Sequence, residues 1–141
     1  MLLDANVLIY AVDSSSPHHL KCRTWLEANL NQPRRVALPW QSIGAFLRIT
    51  THPRVVPNPL TSTEAWQFIG DWISAAPVWV PPITPSTLKV LGELMTAPGA
   101  TGNLVPDAML AAIAIEHGLT VVTADSDFTR FPVTMLDPTS L

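Results

Sequence analysis

Apolar residues fall into two kinds of run along this chain: short unbroken blocks bounded by turn-forming or charged residues, and longer stretches in which apolar positions return every three or four residues. The first kind reads as buried strands and the second as helices. Met1 to Leu3 is a short block closed by Asp4, and Val36 to Leu38, Val78 to Val80, Leu119 to Thr123 and Val133 to Leu136 follow the same form. Val7 to Val12 is also continuous and its composition suits a strand; a very short first strand followed by a helix opening near Ala5 or Asn6 is preferred, although the pattern alone does not decide. Ser16 or Pro17 opens a helix carrying Leu20, Cys22, Trp25, Leu26 and Leu30, and Pro39 opens one carrying Ile43, Phe46, Leu47 and Ile49. Thr61 and Glu64 have capping-box spacing for a helix reaching about Ala76. Trp66, Phe68, Ile69, Trp72 and Ile73 cover more than one face of it, which predicts burial on both sides, part of it against a partner. Thr84 to Met95 is a further helix, and Pro106 fits the first turn of a last one that runs to His117 and stops at Gly118. Strands alternating with helices predict βαβ units and an α/β fold around a parallel sheet.

At 141 residues, 48% of them hydrophobic, the chain has the size of one compact domain, residues 1–141, with no repeat, low-complexity tract or linker. Val7 to Val12 is far short of the ~20 apolar residues that span a bilayer, and Asp4 interrupts the apolar start where a secretory signal would continue. A cytoplasmic protein is expected. Cys22 is the only cysteine, which excludes an intramolecular disulfide, and no Cys/His spacing around it suits zinc. Net charge is -3 and only 13% of residues are charged. Such a chain does not coat nucleic acid by bulk electrostatics, though a nuclease can be acidic because its carboxylates are counted and their metals are not. Six of the eight cations, Lys21, Arg23, Arg34, Arg35, Arg48 and Arg54, lie in the first half.

The chemistry lies in three aspartates set at predicted strand ends or a helix start: Asp4, Asp107 and Asp125, the last with Asp127 two residues on. In an open parallel sheet, sites form beyond the carboxyl ends of the strands, near the point where strand order reverses. Asp4 and Asp125 follow strands directly, and Asp107 opens a helix whose dipole favours a carboxylate, so all three can share one edge. Carboxylates gathered there repel one another unless a hard cation sits between them. Mg²⁺ or Mn²⁺ so held matches phosphodiester hydrolysis. No nucleophile elbow, phosphate-cradling glycine loop or zinc motif competes.

These residues carry a family resemblance. Leu3-Asp4-Ala5-Asn6-Val7-Leu8-Ile9-Tyr10-Ala11 resembles the opening of PIN-domain ribonucleases, and Thr123-Ala124-Asp125-Ser126-Asp127-Phe128 their closing Thr-x-Asp-x-Asp-Phe. Asp107 to Ala112 is similar to the helix bearing their third acidic residue, and Phe46 to Arg54 with Trp25-Leu26-Glu27 resembles the VapC toxins within that group. The match extends over essentially the whole chain. It implies a three-layer PIN-like fold, a central parallel sheet wrapped by helices, and a Mg²⁺-dependent endoribonuclease, the toxin of a VapBC toxin–antitoxin pair, acting on tRNA or ribosomal RNA. By motif match Asp4, Asp107 and Asp125 are the catalytic and metal-binding acids, Asp127 is a further metal candidate, and Asn6 and Thr123 support them by hydrogen bonding. A homodimer and a cognate VapB-type antitoxin laid over the site are implied as partners.

One departure stands out. Many PIN domains carry a glutamate on the helix after the second strand, expected near Ala45, and Gln41, Ser42, Gly44 and Ala45 offer no carboxylate. The loss motivates an alternative: a catalytically weakened module that binds RNA or antitoxin without cleaving. Arg48, polar on an otherwise apolar helix, reads as a contact to substrate phosphate or antitoxin, or as the partner of an aspartate. His18, His19 and His52 read as surface or capping residues, Glu64 as completing a helix cap, and Glu116 as lying on a solvated face. A haloacid-dehalogenase-like phosphatase is excluded because Asn6 replaces the second acid of its Asp-x-Asp pair. A receiver domain is excluded because the only lysines, Lys21 and Lys89, are not where its lysine would stand.

Overall fold

The computed structural model describes residues 1–141. In chain order the elements are β1 (Leu2–Leu3), α1 (Ala5–Val12), α2 (His19–Leu30), β2 (Val36–Ala37), α3 (Trp40–Thr50), α4 (Ser62–Ser74), β3 (Val78–Trp79), α5 (Pro85–Thr96), α6 (Leu104–His117), β4 (Val121–Val122) and β5 (Met135–Leu136). The strands form one sheet in the order β3-β2-β1-β4-β5, and every adjacent pair is parallel. From β1 the chain builds outward to β2 and β3, then returns to place β4 on the other side of β1, so strand order reverses between β1 and β4.

Strands buried on both faces carry no polar alternation; their period of two sorts apolar residues to opposite sides instead. Leu3, Val36, Leu38 and Val122 pack into one core with Val7, Leu8, Leu26, Phe46, Ile69 and Trp72 of α1 to α4. Their neighbours Leu2, Ala37 and Val121 join the opposite core with Leu94 of α5, Ala108, Ala111 and Ile113 of α6, and Phe128. The sheet is the middle layer of three.

Strand ends differ from the sequence reading for a local reason. β2 stops at Ala37 rather than Leu38, and the next residue in register to donate to β1 is Pro39, which has no N–H. The carbonyl of Leu3 accepts instead from the buried Ser42 hydroxyl at 2.7 Å. That bond clamps the first turn of α3 to the residue preceding Asp4. At the other end of α6, Gly118 takes up φ 63°, and Leu119 donates from its N–H to the Ala114 carbonyl at 2.8 Å. Leu119 thereby terminates the helix, and β4 begins only at Val121.

α1 runs from Ala5 with Asp4 as its N-cap, which decides between strand and helix for Val7 to Val12. α2 begins at His19, later than Ser16 or Pro17; those residues form preceding turns in which Ser16 accepts from the His18 N–H at 3.1 Å. Thr61 and Glu64 form the expected capping box. α4 buries only one stripe, Ala65, Ile69 and Trp72, with Trp72 edge-on to Phe46 at 5.0 Å between ring centroids. Trp66 and Ile73 remain 59% and 41% exposed, so the second apolar face is uncovered in the single chain. Glu116 is not on a solvated face. It accepts from the Thr84 hydroxyl at 2.6 Å and from the Thr87 hydroxyl, so the start of α5 is tied to the end of α6 and the two helices run antiparallel. Those bonds, Thr84 first, hold its carboxyl below the usual value.

Because Ser42 replaces a ladder bond that Pro39 cannot make, Ser42→Ala leaves a buried carbonyl unpaired. It is expected to lower unfolding free energy by about 1–2 kcal/mol in urea denaturation. An unchanged midpoint would show that Leu3 has another partner.

Candidate metal centre

The register Leu3↔Val122 puts the residues following β1 and β4 side by side at the sheet's carboxyl edge, at the point of strand-order reversal. Asp4 leaves β1 with its N–H on the Val122 carbonyl at 3.0 Å, and Thr123 leaves β4 bonded to the Leu136 carbonyl at 3.0 Å. Both side chains then enter one network. Asp4 Oδ1 accepts from the Ala5 N–H at 2.7 Å, as an N-cap does. Its Oδ2 accepts from Thr123 Oγ1 at 2.7 Å and from Asn6 Nδ2 at 3.1 Å. Asn6 Nδ2 also reaches Thr123 Oγ1 at 3.0 Å, and its Oδ1 accepts from the Ala124 N–H at 3.3 Å. Thr123 Oγ1 further accepts from the Asp125 N–H at 3.0 Å, and Asp125 Oδ1 from the Asp127 N–H at 2.9 Å. One chain of bonds thus links the start of α1 to the turn after β4.

Asp107 comes to this edge from the first turn of α6. A carboxylate oxygen from each of Asp107, Asp125 and Asp127 lies within 4.8 Å of the others. Asp4 stands beside that trio rather than within it, its oxygens already engaged, yet close enough for its charge to act on Asp107. Burial pushes the Asp4 carboxyl up, opposed by the Thr123 hydroxyl and the Ala5 N–H, with Asp125 adding to the rise. Asp107 is pushed up to about 6, first by burial and then by Asp125, Asp4 and Asp127 in turn. The structure therefore brings together all four predicted acids, three tightly and one alongside, with Asn6 and Thr123 bonded to the fourth.

All donors in this cluster are hard oxygens, and their mutual repulsion is what a divalent cation of the Mg²⁺ class relieves, so the residues fit such an ion. α3 contributes no acid: Ala45 has none to offer. Arg48 is exposed in the last turn of α3, about 12 Å along the helix from its start by the rise per residue. It forms none of the ion pairs in the molecule, which are Arg23–Glu27, His117–Glu116 and Arg130–Asp127. The Arg130–Asp127 pair, exposed and 4.0 Å long, is a neighbour of the cluster that sequence reading missed. The i,i+3 spacing of Asp127 and Arg130 was its only signal. His19 meets the Tyr10 carbonyl at 3.0 Å and His52 accepts from the Arg54 N–H at 3.1 Å, and neither bonds to one of the acids. No helix is long and apolar enough to cross a membrane.

A PIN domain family model matches residues 1–133. Ribonuclease VapC37 of Mycobacterium tuberculosis is 38% identical over 130 residues, 92% of this chain and 90% of the relative. Ribonuclease VapC25 of the same organism is 36% identical over 131 residues, covering 92% of each. Among solved structures, VapBC2 of Rickettsia felis bound to a promoter DNA fragment superposes with a TM-score of 0.72 at 17% identity, over 96% of both chains. VapC20 of Mycobacterium tuberculosis, a toxin that cleaves the sarcin–ricin loop, superposes at 0.67 with 16% identity over 91% of this chain and 92% of the other.

The folded pKa of Asp107 lies above the ordinary 3.8, so between there and about 6 the folded protein holds a proton that the unfolded chain releases. This group's contribution to stability is present below the lower value and is lost as pH rises through the upper one. In metal-free protein, the thermal midpoint should fall across that window, and Asp107→Asn should flatten the fall. At neutral pH the variant should be more stable by on the order of 1 kcal/mol, once solvent screening of this part-exposed carboxylate is allowed for. Parallel pH profiles for the two proteins would show the repulsion to be absent.

Proposed function

The chain belongs to the VapC group of the PIN-domain family, and from that premise we propose that it is a Mg²⁺-dependent endoribonuclease toxin that hydrolyses phosphodiester bonds in structured RNA, tRNA or ribosomal RNA. The observation that carries this reading is the gathering of Asp107, Asp125 and Asp127 within 4.8 Å, with Asp4 alongside, at the switch point of the sheet. In it Asp4, Asp107 and Asp125 are the catalytic acids, and Asp127 shares in holding the ion. Mn²⁺ suits the same donors.

Asp107, Asp125 and Asp127, with Asp4 alongside, would hold a divalent ion, which when bound would supply a water of lowered pKa and offset charge on the scissile phosphate. The protein's own part is positioning. Asn6 Nδ2 and Thr123 Oγ1 occupy Asp4 Oδ2, and the Ala5 N–H occupies one site on Oδ1, so the carboxylate is held at one orientation with a single lone-pair site left on Oδ1. The Asp125 N–H donates to Thr123 Oγ1, and Thr123 Oγ1 in turn donates to Asp4 Oδ2, so the hydroxyl joins the turn bearing Asp125 to the end of β1. Asp127, exposed and within 4.8 Å of Asp107 and Asp125, supports the reading of it as a further ligand. Arg48, without an acidic partner, is available for substrate phosphate or an antitoxin carboxylate.

The absence of an acid on α3 favours a second reading, a module that grips RNA or antitoxin and does not cut. The VapBC assemblies among the structural relatives support a VapB-type antitoxin as partner. Such a segment has a groove available between α1, α2 and α4, lined by Leu26, Leu30, Phe68 and Trp72 with Arg23 and Glu27 beside them. The uncovered Trp66 and Ile73 face of α4 supports a homodimer. The cytoplasm, where RNA substrates are, is the compartment this reading requires.

Wild type incubated with tRNA and ribosomal RNA should cleave with Mg²⁺ or Mn²⁺ and stop when EDTA is added. Asp4→Ala should lower the rate by a hundredfold or more. Equal rates in the two proteins remove Asp4 from the mechanism, and binding of several RNAs without metal-dependent cleavage establishes the second reading. Light scattering at micromolar concentration should give twice the chain mass, and a monomer there would refute self-association through α4.

A further inference from the structure

We infer that Trp40 is a substrate-positioning residue, a stacking platform for an unpaired RNA base next to the scissile phosphate. The inference rests on the nuclease reading above and extends it to how substrate is held. In the register Leu2↔Ala37, Pro39 stands level with Asp4 on the neighbouring strand path, about 5 Å away by strand spacing. Trp40 is one residue further, so its Cα lies within roughly 9 Å of that of Asp4. The Ser42–Leu3 bond of 2.7 Å holds this first turn of α3 in place, so the indole is carried on a rigid element.

The fold makes little use of that indole. It is 73% exposed, while Ser42, Ile43 and Phe46 of the same helix are buried. An aromatic residue at the first helical position brings no capping bond and loses side-chain freedom, so local structure does not call for it. Of the other tryptophans, Trp72 is buried, Trp25 and Trp79 are part-buried, and only Trp66 on α4 is comparably exposed. Trp40 is thus a large uncovered π-face carried one residue beyond the position level with Asp4.

The occupant follows from charge. The cluster is acidic, the chain carries a net charge of -3, and it has only eight Lys and Arg residues, so phosphate attraction alone holds RNA weakly here. Base–aromatic stacking supplies affinity that needs no cation and that any unpaired base can provide. A splayed loop base, the part of a structured RNA that aromatic side chains reach and stack on, meets that description.

Affinity is measured with a hairpin RNA carrying a fluorescent purine analogue in its loop, with Ca²⁺ in place of Mg²⁺, and KM and kcat are measured for the same hairpin with Mg²⁺. Trp40→Ala should raise Kd and KM about tenfold, by the same factor at low and high salt, and leave kcat within about threefold. Trp40→Phe should recover most of the affinity, and Leu88→Ala, a truncation of an exposed apolar residue on α5, should match wild type. Wild type that binds without cutting would defeat the cleavage reading, and the stacking role would then stand or fall on whether Trp40→Ala raises Kd. Wild type that cuts while Trp40→Ala equals it in Kd and KM overturns the stacking role alone. A loss in Trp40→Ala that accompanies a change of molecular mass in light scattering assigns the indole to a contact between copies and overturns it as well. No binding by wild type overturns both.

Discussion

Asp4, Asp107, Asp125 and Asp127 repel one another, and the fold has to hold them together regardless. Each would be better solvated apart, so the arrangement persists only because the backbone around it is over-determined. The Asp4–Asn6–Thr123 network is the means: two strand ends, from residues far apart in the chain, are cross-bonded through side chains as well as through the ladder. The strands themselves are only two residues long. With so little backbone pairing at the site, side-chain bonds and the burial of Leu3 and Val122 carry much of the positional constraint.

The same edge shows how α3 is put to use. Pro39 ends the ladder, Ser42 takes over the bond that Pro39 cannot make, and α3 is seated against β1 at the residue before Asp4. Its first turn then presents an exposed indole where α3 has no acid to present. The acid cluster includes Asp127, from the turn after β4, whose backbone N–H is itself held by Asp125.

Away from the site, polar side chains serve packing. Glu116 joins α5 to α6 through Thr84 and Thr87, which aligns the helix that delivers Asp107. Small residues on α6, Ala108, Ala111 and Ala112, let that helix lie close to the sheet, and the Gly118 turn returns the chain directly into β4. Asp107 and Asp125 are thus positioned from the two ends of one helix–turn–strand unit. α4 shows the opposite economy: one stripe is buried against Phe46 and the other is left apolar and exposed.

The sequence by itself determined the element types, the alternation of strand and helix, and the four acids, because each is written in local signals: apolar period, Gly118 and Pro106 at helix ends, the Thr61 capping box, aspartates at strand ends. It also carried a family resemblance that the PIN domain match bears out. Strand lengths were misjudged by a residue or two, since Leu38, Val80 and Leu119 have strand character while their neighbours' hydrogen bonds go elsewhere. Glu116 looked like a surface acid because nothing near it in the chain reveals Thr84 and Thr87. Only the tertiary structure decided that Asp4 is hydrogen-bonded beside the trio rather than within it, that Asp127 joins Asp107 and Asp125, and that Trp40 is left uncovered. Those facts depend on strand order and register, which bring together residues more than a hundred positions apart; spacing along the chain encodes only what a residue's near neighbours do.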